Sequence, residues 1–425
     1  MKPSSAEGSP TLPLRESRVV ARTPFYYGWV VLLAATFGML MATPGQTLGV
    51  SVFLDRIIVD LGLSRATVSL LYTVGTLIGS FSLPFVGRFI DRRGPRTAVV
   101  VISALFALAC VWMGFVGSAV ALLVGFVLIR GLGQGALGLV SLHVINLWFV
   151  RRRGLAVGLS GLGMALATAV FPFAIEALIG AFGWRLAYVA LGGLVAVTIL
   201  PLGAWLYRGR PELYGLEPDG ARPGAELGER TYTPAQARRT RSFWLFAVGD
   251  LFVAALATGL LFHHYDIMAS SGVDRLAAAV FIPFGFITAG TNLLTGVLMD
   301  RVSPRFLLSA MLLLLGASLL LAPQVDSPSP VLIYGAVLGL SQGMKGAIGG
   351  SVYAHLFGRA HIGAIKGFAV TVSVAGTAFG PPLFAFGTAW LGGYGPIPII
   401  PALPPLVVAL TAPFFRPLKA DGSVR

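Results

Sequence analysis

Apolar runs of about 20 residues recur along the chain, each ended by a short polar or charged break, and this is the length of a helix that crosses a bilayer. The runs predict twelve helices near 27–49, 66–87, 97–117, 120–146, 155–178, 184–207, 242–265, 276–299, 304–323, 330–354, 361–387 and 393–415. An even number of crossings leaves both termini on one side. One long polar stretch, 208–241, rich in Pro, Gly, Glu and Arg, follows the sixth run and reads as a linker. The expected organisation is a tail (1–24), a six-helix bundle (25–207), the linker (208–241), a second six-helix bundle (242–415) and a tail (416–425). Residues 1–23 are polar and lack the apolar core of a cleavable signal peptide, so the first helix is expected to be retained.

Composition narrows the class. Of 425 residues, 56% are hydrophobic and 11% charged, with a mean hydropathy of +0.83. Such a chain cannot clothe itself in a water-facing surface, so lipid is its solvent. The net charge of +14 raises the question of nucleic acid. With alternating crossings, however, about 25 of the 31 Lys and Arg fall on the side of the termini, which is the bias of cytoplasmic loops. Topology accounts for the charge without a nucleic-acid partner, and it predicts cytoplasmic termini in a plasma (inner) membrane. The single cysteine, Cys110, lies in an apolar run and has no intramolecular partner.

The two halves repeat each other. "GRFIDRRGPR" (87–96) follows the second run, and "GVLMDRVSPR" (296–305) follows the eighth. "RGLGQG" (130–135) in the fourth run lines up with "LGLSQG" (338–343) in the tenth, and "WFVRRRGLAVG" (148–158) loosely with "LFGRAHIGAIKG" (356–367). Parallel six-helix repeats with a charged link after the second helix resemble the major facilitator superfamily. That resemblance implies an all-α fold of two pseudo-symmetric halves rocking about a site near the midplane. It also implies that Asp91 faces the N-terminal end of the eleventh helix, which the pattern starts near Ala360, and that the helix dipole favours the carboxylate there. Gly87, Arg92 and Gly94 complete this conformational latch, and Asp300 and Arg301 form its weaker copy.

"WFVRRRGLAVGLSGLG" (148–163) further resembles the fifth-helix motif of the monocarboxylate porter group, with Trp for the usual Tyr and Arg for Lys. "FYYGWVV" keeps Gly28 and Trp29 of the first-helix motif but lacks its acidic residue. The resemblance points to bacterial relatives of monocarboxylate and oxalate/formate carriers. Their basic residue in the eighth helix is missing here, and the eleventh has only Lys366 near its start.

Ionisable residues inside a span cost about 2.5–3.5 kcal/mol at its centre and are functional candidates by default. Arg130, with Gln134 on its face, and Lys345, with Gln342 one turn earlier, are the cationic candidates for binding an anion. His263 and Asp250 are candidates for a coupling proton, and His263 for substrate contact as well. Gln46 and Asn292 offer uncharged hydrogen bonds. His143 reads as structural. Phosphate loops, metal-ligand clusters and nucleophile elbows are missing, so the reading is a non-enzyme without cofactor or metal. The expected function is secondary transport of a small organic acid anion with a proton or a counter-anion. Efflux of a neutral or amphipathic compound and a non-transporting ligand sensor are the alternatives. "GMALATAVFP" (163–172) fits the Gly-x-x-x-Gly-Pro of proton-driven exporters poorly, and the linker is short for a signalling domain.

Overall fold

The computed structural model describes residues 17–220, 231–273, 276, 280–391 and 399–415, and every regular element among them is a helix. Nine helices there are long and apolar enough to cross a membrane, and two shorter apolar helices accompany them. In chain order they begin with α1 (Gly28–Leu61), α2 (Thr67–Arg93), α3 (Pro95–Gly114) and α4 (Ala119–Trp148). The helix Arg153–Leu206 is broken at Gly183, whose φ of 75° and ψ of 164° are non-helical, giving α5 (153–182) and α6 (184–206). There follow α7 (Arg241–Phe262), α8 (Phe281–Met299), α9 (Pro304–Leu321), α10 (Pro328–Phe357), α11 (Ile362–Leu391) and α12 (Ile399–Thr411). Among the described residues helical segments overlap the twelve stretches that the hydrophobic pattern marks, an arrangement consistent with twelve crossings.

Two apolar cores hold the bundle. One is built from residues between Tyr27 and Tyr207, joined by Val374, and the other from residues between Ala237 and Ala412. Large apolar side chains such as Phe173, Phe286 and Trp390 stay exposed on the outside, the surface a protein dissolved in lipid presents. Since helices gain nothing from burying one apolar face rather than another in lipid, close packing has to hold them together. Glycines supply it where backbones meet. A β-carbon on Gly79 would lie 2.9 Å from Gly131 N, and one on Gly45 3.0 Å from Gly133 Cα.

Three features differ from the hydrophobic pattern. The charges of "GRFIDRR" lie on the last turns of α2, which stays helical to Arg93, so the link to α3 is Gly94 alone. Gly94 has φ 80°, a conformation that a residue with a β-carbon avoids, and Pro95 opens α3 without needing its N–H. α1 runs on to Leu61 but breaks at the turn Thr43–Gly45, because Pro44 cannot donate to the helical ladder. α4 carries a π-helical segment, Arg130–Leu137, made of "RGLGQGAL". Such bulges are frequent at functional sites.

Candidate functional site

The two halves meet at the end of the bundle that carries the Arg-rich links, here called the basic end. Asp91 accepts hydrogen bonds from Gly363 N (2.9 Å) and Ala364 N (2.8 Å), the first free amides of α11. Asp300 repeats the arrangement on α5, accepting from Gly154 N (2.8 Å) and Leu155 N (3.1 Å). Each carboxylate belongs to one half and caps a helix of the other, where orphan N–H groups and the helix dipole favour negative charge. Burial raises the Asp300 pKa above the usual carboxylate value, against the lowering pull of the Gly154 and Leu155 amides and of Arg153. Gly87 lets α2 touch α11, since a β-carbon there would strike the Gly363 carbonyl. The arginines of both links, Arg92 and Arg301, are exposed.

Further contacts seal this end. Asn146 Nδ2 on α4 and Lys366 Nζ on α11 both donate to Gly350 O of α10, at 3.0 and 2.8 Å. Thr371 Oγ1 donates to Ser80 O of α2 at 3.0 Å. His143 Nδ1 lies 3.9 Å from Asp91 Oδ1, so this histidine stands beside the cap. The start of the linker, 208–220, makes bonds to both halves. Asp219 accepts from the backbone N–H groups of Val150 (2.8 Å), Arg151 (2.6 Å) and Arg152 (3.2 Å), just before α5. Arg359 donates to Leu147 O and to Glu212 Oε1, both at 2.6 Å, and so ties α4, the linker and the α10–α11 loop together. Asp219, Glu212 and Arg359 were not among the expected site residues. Asp219 has φ 60°, a local conformation that no hydropathy pattern encodes.

Away from this end, the ionisable residues inside the spans fall into two groups. In the first half, Arg130 is 2% exposed. Its Nε donates to Thr76 Oγ1 (3.0 Å), its Nη1 to Gly45 O (3.1 Å), and its guanidinium lies 4.8 Å from the Tyr72 ring centroid. The α1 break frees the Gly45 carbonyl for this bond, so Arg130 fastens α1 and α2 to the π segment. Gln134 is half-buried on the same segment, and Gln46 Nε2 contacts Met164 Sδ at 3.7 Å. In the second half, Lys345 Nζ on α10 lies 3.8 Å from Asp250 Oδ1 on α7, and both side chains are partly accessible, at 25% and 22%. Gln342 lies one turn away on α10, its Oε1 buried without a partner among the described residues. Asn292 is wedged between Gly161 of α5 and Gly346 of α10, with its Oδ1 likewise unpartnered.

His263 does not join these groups. It caps α7 about 20 Å along the helix from Asp250. Its Nε2 is 3.0 Å from Pro381 O, and its ring stacks on Phe384. Those contacts tie α7 to α11 at the opposite end. The described residues contain no cluster of His, Cys, Asp and Glu that could hold a metal ion.

Comparison with known proteins agrees with this architecture. The chain is 28% identical over 382 residues to human monocarboxylate transporter 11, covering 85% of this chain and 77% of that one. It is 26% identical over 217 residues to the oxalate:formate antiporter of Oxalobacter formigenes, covering 51% and 50%. It is 26% identical over 248 residues to a probable sulfoacetate transporter of Cupriavidus necator, covering 55% and 57%. Among solved structures, the human organic anion transporter MFSD10 superposes with a TM-score of 0.67 at 14% identity, covering 91% of this chain and all of that one. The fucose:proton symporter of E. coli superposes with a TM-score of 0.64, also at 14% identity, covering 92% and 99%. Residues 30–289 match the family described as Major Facilitator Superfamily. With that match spanning more than half of the chain, and the repeated halves and helix caps in place, the protein belongs to the Major Facilitator Superfamily of transporters.

Proposed function

We propose that the protein carries a small organic acid anion across the plasma membrane by alternating access, with a proton as co-substrate or a second anion in exchange. The Lys345–Asp250 pair is the observation that carries this reading. An ion pair inside a span is costly to keep, and partial access to it is what a binding site needs. A carboxylate substrate would compete with Asp250 for the Lys345 ammonium. The displaced Asp250 would be the group that carries the coupled proton. Anion and proton are thereby loaded together. With no proton gradient, a second anion can replace the first at Lys345, which is exchange. Arg130 would add positive potential from the first half, although its bonds to Thr76 and Gly45 give it a structural task as well.

The rocking units of this cycle are 25–207 and 242–415, a division supported by the two separate apolar cores. The basic end would face the cytoplasm, a reading that the distribution of Lys and Arg supports. The Asp91 and Asp300 caps would then be the latches of the cytoplasm-closed form. The names of the transporters resembling this chain support the substrate class.

Reconstituted vesicles test the proposal with labelled short-chain mono- and dicarboxylates and an imposed pH gradient. Asp250→Asn is expected to abolish the response to the gradient while retaining exchange. Lys345→Gln should weaken substrate affinity by about tenfold or more, the loss of a hydrogen bond to a charged group. Uptake of no carboxylate, or a gradient response unchanged in Asp250→Asn, would overturn the assignment and favour efflux of a neutral compound.

A further inference from the structure

The basic end contains a cavity of about 930 Å³, and neither Lys345 nor Asp250 is among the residues that line it. Beside His143 and Leu147 of α4 and Ala204 of α6, four segments build it: the short N-terminal helix, the α2–α3 link, the start of the linker, and the α10–α11 loop. Every one of them contributes arginine. Arg18, Arg92, Arg93 and Arg96 stand exposed on the rim, their side chains without a hydrogen bond or ion pair among the described residues. Arg208, Arg210 and Arg359 are buried or half-buried among the lining residues.

Arg208 is the informative residue. It is 6% exposed, and its guanidinium donates to neutral acceptors, Ser17 Oγ at 3.3 Å and Tyr207 O at 2.8 Å. Arg210 likewise reaches a neutral partner, Ala360 O, at 3.4 Å. Arg359 has a carboxylate in Glu212, and Asp91, the one acid among the described lining residues, has both oxygens committed to α11. A buried guanidinium without a counter-ion is expensive, and a concave surface lined by one sign of charge concentrates its field on an opposite charge. Loop topology explains why arginines lie at this end, but not why they converge on one cavity with a buried member that has no carboxylate partner among the described residues.

We propose that this cavity binds a multiply phosphorylated anion. Phosphate oxygens match the planar fork of arginine, and several phosphates in one molecule are needed to engage arginines spread over four segments. The volume lies in the range of small-molecule sites, with room for more than one phosphate. Because Arg92, Arg93 and Arg96 come from the first half and Arg359 from the second, the ligand also bridges the seam that the Asp91 cap closes. The same chemistry occurs in soluble polyphosphates and in the headgroup of a diphosphatidyl lipid.

The test uses the full chain in phosphatidylcholine nanodiscs, with inorganic triphosphate as the soluble probe and cardiolipin-containing nanodiscs as the lipid probe. Arg93→Gln with Arg96→Gln is the variant, since both side chains are exposed and their loss leaves the packing intact. Triphosphate binding by calorimetry that weakens about tenfold or more in the variant and falls with added salt supports the site and a soluble ligand. Stabilisation by cardiolipin alone, lost in the variant, supports the site and a lipid headgroup. If neither probe binds, or if both bind the variant as well as the unaltered chain, the proposal is wrong.

Discussion

Asp91→Ala is expected to loosen the basic end by an amount that can be worked out from its two hydrogen bonds. The acceptor removed serves Gly363 N and Ala364 N, at 2.9 and 2.8 Å, and both residues are buried. Helix α11 cannot satisfy these amides internally, because they lie in its first turn. A buried donor left unpaired costs about 1–3 kcal/mol, so the closed form should lose about 3 kcal/mol relative to a form in which water reaches the amides. At about 1.4 kcal/mol per factor of ten, the equilibrium shifts by somewhat more than a hundredfold. Asp91→Asn keeps one acceptor and should shift it by about tenfold. Asp300→Ala acts on α5 in the same way, and the two effects should add, since the caps share no partner. Distances between spin labels at Thr97 and Arg241 read the shift. Both sites are exposed at the basic end, one in each half, and the native Cys110 is buried and silent. Longer distances in the order unaltered, Asn, Ala and double variant are expected. An unchanged distribution in the double variant would refute the capping argument.

Gly87→Ala should lengthen the same distance, because its β-carbon would strike the Gly363 backbone and force α2 away from α11; a normal closed distance would show that the helices slide instead. Asp300 adds a pH dependence. Its carboxyl has a raised pKa when buried, so the closed form binds the proton more tightly than an open, hydrated one. Closure is therefore favoured at pH below the raised pKa, and this contribution is lost as pH rises through it; Asp300→Asn should flatten that part of the label-distance profile. Arg130→Lys keeps the charge but cannot serve Thr76 and Gly45 together, and should cost about 1.5–3 kcal/mol of stability, measured as a fall in unfolding temperature. A cysteine at the exposed Arg239 should react with an impermeant reagent only in opened cells; labelling of intact cells would reverse the proposed orientation.

The order of apolar runs and charged breaks determined the helical class and the positions of the helices, because a span must be apolar for its whole length whatever it packs against. The repeated Gly-Asp-Arg motif marked where the halves correspond. That Asp91 faces α11 came from the family resemblance and not from the pattern itself. Lys345, Asp250 and Arg130 were legible one by one, since a charge inside a span stands out in any composition. Their partners were not. Lipid-facing and protein-facing sides of these helices are both apolar, so periodicity gives no record of which helices touch. Only the fold decided that Lys345 meets Asp250 from a helix about 95 residues away, and that Arg130 is held by a carbonyl freed at the Pro44 break. The linker shows the same limit. Its Pro, Gly and charge predict a linker, yet Asp219 gathers the amides ahead of α5 and Glu212 holds Arg359 of the second half, contacts between residues about 70 and 147 positions apart that only the fold brings together.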